Sequence, residues 1–269
     1  MMKVRMKKLL LAMLLMTMAS TAAFAEGLTD SSDEVVWGYC DDLVDKSLGS
    51  PTEDLKKCAI RIPAEVSARY EGCTISSIDI YLCKDVTGLA PVISTGGSEN
   101  YSVQPEQNGV EGWNEIKLNN PYTIGSGDLY VGYQFVGTYA AGTSGMWSRN
   151  GLFLYDNDMW VDYSSINLGA FLIRVHIKGN DLPMDVAMEA DDDVENSQGD
   201  AITLNTYVQN LSPEEIETLT LNCYINNELE GSHEVKTKIG KGKFEQVPVT
   251  IALPSAPNIY KIKIVNSSL

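Results

Sequence analysis

After its first 25 residues the chain alternates hydrophobic and polar positions with period two almost throughout. ISSIDIYLC sets Ile78, Ile80 and Leu82 on one face and Asp79 and Tyr81 on the other, the pattern of a half-buried strand. DLYVGYQFV, AFLIRVHIK, AITLNTYVQ, LTLNCYIN and FEQVPVTIAL repeat it, and clusters of Gly, Asn, Asp, Ser and Pro separate them. Helical periodicity is nearly absent. Its best candidate is PAEVSARYEG, residues 63–72, which makes two turns with Pro63 at the start and Gly72 at the end. Many short strands with regular turn signals predict an all-β protein built from β-sandwiches.

The most patterned stretch is GWNEIKLNNPYTIGSGDLYVGYQF, residues 112–135. It predicts Ile116, Leu118, Ile124 and alternate members of DLYVGYQF as core, Trp113 packed on the sandwich, and turns at Pro121 and at the GSG of 125–127. A boundary falls in GNDLPM, residues 179–184, where a strong strand ends and a different rhythm begins. The expected organisation is a signal peptide over 1–25, a jelly-roll-like sandwich over 26–181 and an immunoglobulin-like sandwich over 182–269. The last segment shows six candidate strands where seven are usual, the mark of a small or shortened domain. GKGKF, residues 240–244, reads as a hairpin turn, and His233 as part of a turn, GSHE.

Charge and the chain's start narrow the compartment. MMKVRMKK is basic, LLLAMLLMTMA is apolar but too short to span a bilayer, and Ala23 and Ala25 give the small-residue pattern of a cleavage site before Glu26. The expectation is an exported protein, secreted, periplasmic or at the cell surface, without membrane insertion after cleavage. Cleavage removes Lys3, Arg5, Lys7 and Lys8 and no acid, so the formal charge moves from −16 to −20. Such a chain repels phosphate backbones and anionic lipid surfaces, which argues against nucleic acid and membrane partners.

There are five cysteines. Cys223 alternates with Leu219, Leu221 and Ile225 and reads as a buried thiol. Export permits disulfides, so Cys40, Cys58, Cys73 and Cys83 are expected to form two bridges, with three pairings open. No C-x-x-C occurs and there are only two His, so no zinc site is expected.

Catalytic constellations are absent from the pattern. His176 falls on the face opposite Ile173 and Ile177, and neither it nor His233 adjoins a nucleophile motif such as G-x-S-x-G. The chain is therefore expected not to be an enzyme. Aromatic loops stand out instead: YAAGTSGMWSRNGLFLYDNDMWVDY, residues 139–163, places Trp147, Tyr155 and Trp160 beside Arg149, Asp156 and Asp158. An aromatic face takes the apolar side of a sugar and large aromatics anchor protein interfaces. These six residues are the candidate ligand-binding set, for a glycan or an extracellular protein. The competing readings are that Tyr155 and Trp160 pack against the sandwich, and that Asp156 and Asp158 hold a structural calcium; no other cofactor is expected. The acidic run EADDDVENSQGD, residues 189–200, reads as a solvated, self-repelling loop.

Two segments, KKCAIRIPAEVSARYEGCTISSIDIYL and GWNEIKLNNPYTIGSGDLYVGYQF, resemble the cleaved-adhesin or haemagglutinin jelly-roll module of exported Bacteroidetes proteins. YVQNLSPEEIETLTLNCYIN resembles the immunoglobulin-like adhesion module that often follows it. The resemblance covers roughly residues 34–265 and rests on core and turn positions. It implies an adhesion role with no catalytic residues to carry over. It also raises two alternatives: a structural spacer of the envelope or matrix, and an accessory partner of a secreted protease.

Overall fold

The structure, a computed structural model, describes residues 33–95, 105–146, 148–166, 168–180, 182–183, 186–189, 193–196, 201–252 and 258–266. The expected signal peptide, residues 1–25, and Trp147 lie outside the described residues. Among the described residues no helix is long and apolar enough to cross a membrane.

The chain is all-β. Its first strands are β1 (Asp33–Gly38), β2 (Lys46–Leu48), β3 (Leu55–Ile62), β4 (Thr74–Leu82), β5 (Val86–Thr95) and β6 (Gln107–Gly109). They continue with β7 (Gly112–Thr123), β8 (Leu129–Val136), β9 (Ala141–Thr143), β10 (Phe153–Asp156), β11 (Met159–Asp162) and β12 (Ile173–Gly179). One antiparallel sheet runs β1-β12-β4-β9-β2, with β7 also paired to β4; the other runs β11-β10-β3-β8-β5-β6. The helical candidate forms as a single α-turn, α1 (Ala64–Ser67), tightened into a 3-10 turn at Ala68–Tyr70, and Gly72 closes it at φ 84°.

The core lies between these sheets. Ile78, Ile80 and Leu82 of β4 and Val175 and Ile177 of β12 face Ile60 and Ile62 of β3 and Val131, Tyr133 and Phe135 of β8, all fully or almost fully buried. Burying each aliphatic side chain contributes roughly 1.5–3 kcal/mol before conformational entropy is counted. Ile75 joins the same core although it is three residues from Ile78, because a bulge at Ser76 and Ser77 resets the alternation. Ile116, Leu118 and Ile124 are buried, as their spacing predicts. Pro121 lies inside β7, where pairing skips from Lys117 to Tyr122; an edge strand tolerates its missing N–H.

At the centre of the second sheet, Ala59 of β3 stands opposite Gly132 of β8. A Cβ on Gly132 would overlap the Cys58 carbonyl oxygen and come 2.6 Å from the Ala59 Cα. Only glycine lets the two backbones pair this closely.

The remaining strands are β13 (Val186–Glu189), β14 (Asp193–Asn196), β15 (Ala201–Asn210), β16 (Ile216–Ile225), β17 (Glu228–Ile239), β18 (Phe244–Ala252) and β19 (Asn258–Asn266). They form the sheets β13-β15-β18 and β14-β19-β16-β17 around a second core that includes Leu219, Leu221, Cys223, Val247 and Ile251. Four sequence expectations change here. Seven strands are present among the described residues rather than six. The extra one, β14, lies inside the acidic run, whose residues 193–196 pair with β19 rather than looping freely; Asp193 stands opposite Lys261. His233 lies within β17 opposite Leu221, because the turn comes earlier, at Asn226–Asn227 with φ 50° and 70°, a two-residue hairpin of the left-handed type. GKGKF is not a hairpin turn: β17 pairs with β16 and β18 with β15, so residues 240–243 cross between sheets.

That crossing docks on the first sandwich. Gly242, at φ 67°, sits so close to Val36 of β1 that a Cβ would be 2.7 Å from the valine Cβ. Lys241 Nζ lies 3.7 Å from Glu34 Oε2, and Lys243 Nζ donates to Asp42 Oδ2 at 2.8 Å. Leu182 and Leu211 bury themselves in the first core. Asn210 anchors the joint from the other side. Its Nδ2 donates to the carbonyls of Glu214 (2.6 Å) and Ile239 (2.9 Å), and its Oδ1 accepts from Ser212 N (2.8 Å) and Oγ (2.5 Å). Its own carbonyl accepts the Gly242 N–H at 2.9 Å.

The two expected disulfides are not present, and all five thiols are free. Their surroundings explain it. Cys40, beyond β1, donates to the Ile173 carbonyl at 3.6 Å. Cys58 faces the core of the second sheet, Cys73 packs against Gly179, and Cys83 faces the Lys46 carbonyl at 4.0 Å. Burial pushes the Cys40 thiol up to about 12 and raises that of Cys58 further, so neither supplies thiolate at neutral pH. Unfolded, unreduced protein is expected to titrate five thiols, and native protein to label first at Cys83, the one cysteine that is not buried. Fewer than five in the unfolded chain would contradict this arrangement.

Candidate functional site

Strand pairing gathers the aromatic residues on the solvent side of the second sheet. Phe153 and Tyr155 of β10 pair with Asp162 and Trp160 of β11, and Phe153 also stands opposite Ala59 of β3. Alternation then puts Phe153, Tyr155 and Trp160 on the face shared by Lys57, Arg61 and Tyr130, opposite the core. The Trp160 ring stacks on Tyr130 with centroids 5.5 Å apart and planes within 8°. Tyr155 meets Trp160 edge-on at 5.2 Å, and Phe153 meets Tyr130 edge-on at 5.2 Å. Trp160, Tyr155 and Tyr130 stay half-buried, so the shelf keeps an apolar face toward solvent.

Polar groups border the shelf in fixed positions. Lys57 Nζ lies 4.6 Å over the Tyr155 ring. Arg61 donates from Nε and Nη2 to Asn150 Oδ1, at 3.0 and 2.7 Å, and its Nη1 lies 3.6 Å from Asp128 Oδ2. Asp128 Oδ1 also accepts the Ala64 N–H at 2.9 Å, tying the start of α1 to the same group. Asp128 offsets the Arg61 charge, so this part of the border offers hydrogen-bonding groups, with the Lys57 ammonium beside it over Tyr155. It suits an uncharged ligand rich in hydroxyls with one apolar side.

The candidate set divides. Tyr155 and Trp160 come together on the shelf. Arg149 is exposed next to Asn150. Asp156 is exposed at the end of β10, and Asp158 occupies the β10–β11 turn at φ 63°, after Asn157 at 48°. Asn and Asp tolerate that backbone, so Asp158 has a structural reason for its identity. Among the described residues no three His, Cys, Asp or Glu side chains converge as a metal site. Tyr130, Phe153, Lys57, Arg61, Asn150 and Asp128 belong to the shelf, and sequence reasoning does not single them out. Their one signal is parity, with Tyr130 and Arg61 at outward positions of their strands. A separate cleft of about 500 Å³ lies at the far end of β8, between Glu53, Lys84, Asp85, Asn108 and Val136, and includes none of the shelf residues.

A second cluster occupies the solvent side of the first sheet. His176 of β12 lies between Asp79 Oδ2, 2.9 Å from Nε2, and Glu34 Oε1, 3.3 Å from Nδ1. Burial alone would lower the His176 pKa; the hydrogen bond and charge of Asp79, then those of Glu34, outweigh it and hold the pKa above the ordinary 6.5. Arg174, beside it, pairs with Asp42 and covers Trp113 at 4.1 Å, while Tyr81 meets Trp113 edge-on at 5.6 Å. Trp113 thus packs against the sandwich, as expected. No nucleophile accompanies His176 among these contacts.

No family model matches the chain, and no curated protein matches it. Among solved structures it is similar to a β-glucuronidase from glycoside hydrolase family 2, at 12% identity and a TM-score of 0.27, over 88% of this chain and 29% of that one. It is also similar to a calcium-binding mutant of Bacteroides uniformis β-glucuronidase 2, at 9% identity and a TM-score of 0.23, over 87% of this chain and 28% of that one. The chain spans less than a third of the length of these two proteins.

Proposed function

We propose that this is an exported, non-catalytic binding protein of the cleaved-adhesin jelly-roll type that holds a glycan on the shelf of Trp160, Tyr130 and Tyr155. One observation carries the reading: the Trp160 ring is fixed between Tyr130 and Tyr155 on the solvent side of the sheet, where it adds nothing to the core. A pyranose lays its apolar C–H face on such a ring, and the Arg61–Asn150–Asp128 group lies beside it to meet hydroxyls. Because these groups hold one another in place, little side-chain entropy is lost on binding.

The protein without residues 1–25 is to be screened on a glycan array and against immobilised extracellular matrix proteins. Trp160→Ala and Tyr130→Ala are each expected to weaken binding about tenfold or more, with the folded state retained. Absence of binding in both screens would sink the adhesion reading. Binding that neither substitution alters would sink the shelf as its site. A second reading, a structural spacer, draws on the joint at residues 240–243, which ties the two sandwiches together; it predicts no ligand in either screen.

A further inference from the structure

We propose that His176 makes the joint between the two sandwiches responsive to protons: on taking up a proton it draws Glu34 to itself and loosens the Lys241 contact that holds the 240–243 turn. The geometry points to this in two ways. Both ring nitrogens of His176 face carboxylates, Asp79 on Nε2 and Glu34 on Nδ1. A neutral imidazole donates to only one of them, whereas the imidazolium donates to both. Glu34 is also the carboxylate that meets Lys241 of the crossing turn, through its other oxygen.

The charges around the ring set the direction. Glu34 comes from β1, Asp79 from β4 and Lys241 from the docked turn. On the neighbouring register positions Lys178 stands opposite Glu34, and Arg174 and Glu115 stand opposite Asp79. Lys117, opposite Ser77, pairs with Glu115 at 3.7 Å, and Arg174 is committed to Asp42. With His176 neutral, Lys241 meets Glu34, and the negative charges of Glu34 and Asp79 both stand uncompensated by the ring. With His176 protonated, one of those negative charges is cancelled and Glu34 is shared between two cations. Acidification therefore stabilises the first sandwich and weakens the charged part of the joint. Leu182 and Leu211 do not titrate and keep the sandwiches together, so the turn loosens without separating. The sign follows from the raised His176 pKa: its stabilising contribution is complete below about 6.5 and is lost as pH rises through the folded-state value.

Coupling of this kind is reciprocal, so the lysine must act on the histidine as the histidine acts on the lysine. The test is an NMR titration of His176 in the whole chain and in its Lys241→Gln variant. The substitution is expected to raise the His176 pKa by a few tenths of a unit, roughly the effect of one half-exposed charge at this range. The same samples report the Gly242 amide, which donates to Asn210. Its exchange protection, corrected for intrinsic pH dependence, is expected to fall several-fold between pH 8 and pH 5, and not to fall in His176→Gln. An unchanged His176 pKa in Lys241→Gln would overturn the proposal, and so would a Gly242 amide whose protection ignores pH. Should His176→Gln fail to fold, the Lys241→Gln arm decides alone, since Lys241 lies at the surface.

Discussion

Gly132→Ala is expected to cost about 3 kcal/mol or more and to lower the melting temperature of the first sandwich by roughly 10 °C. The added methyl would meet the Cys58 carbonyl and the Ala59 Cα, both backbone. A flexible side chain moves aside at little cost, but here β3 and β8 would have to part at the centre of their sheet. Their separation would strain the register from Leu55–Val136 to Ile62–Leu129 and the core that hangs from it. Gly125→Ala is the control: nothing lies within 4 Å of its Cβ position, so the change should stay within about 0.5 kcal/mol. Equal melting curves for the two variants would show that the close approach of β3 and β8 is not what Gly132 provides.

Asn210→Ala is the second large effect, about 3 kcal/mol in denaturant unfolding of the second sandwich. The side chain is fully buried and makes four hydrogen bonds, two given and two accepted. Removing it takes a buried donor from the Ile239 carbonyl and a buried acceptor from the Ser212 N–H, at about 1–3 kcal/mol for each group that finds no new partner, while the Glu214 carbonyl keeps the Ser212 hydroxyl at 2.8 Å. Asn210→Asp separates the bonds from the shape. It keeps both acceptor contacts, but it replaces the amide donor with an oxygen facing the Glu214 and Ile239 carbonyls. The introduced carboxyl will have a raised folded-state pKa. The penalty should therefore be large at neutral pH and shrink as the pH falls toward about 4, where the protonated acid again donates. An Asn210→Asp variant as stable as the parent at pH 7 would contradict the assigned donors.

Much of this architecture can be read from alternation alone. A strand's period depends on which side chains face the core, and for Ile78, Ile80 and Leu82, or for Val131, Tyr133 and Phe135, one face is wholly buried. What escapes is whatever alternation does not encode. β14 is hidden in acids because its pairing with β19 is carried by backbone groups, which every residue has. Gly231 suggests a turn at His233, yet the left-handed pair Asn226–Asn227 has already reversed the chain. Four cysteines in the first half of the chain suggest bridges, but each is a free thiol, and Cys40 and Cys83 are turned to backbone carbonyls.

The site shows the same division. Tyr155 and Trp160 sit on the two arms of a tight hairpin, so sequence proximity finds them. Tyr130, Lys57 and Arg61 reach the shelf through the neighbour order β10-β3-β8, and no local pattern states which strands lie side by side. Asn150 and Asp128 enter through a single arginine whose hydrogen bonds exist only once those strands are paired.

The free thiols carry a consequence for where the chain can fold. A domain stapled by disulfides matures only where an oxidant is at hand. Here the first core closes on aliphatic and aromatic side chains and the second on aliphatic ones, and four of the five cysteines lie among the buried residues as reduced thiols. The fold therefore draws nothing from a disulfide. It should be the same protein made in a reducing cytoplasm or matured in an oxidising exterior, and a reductant should leave its unfolding curve where it was.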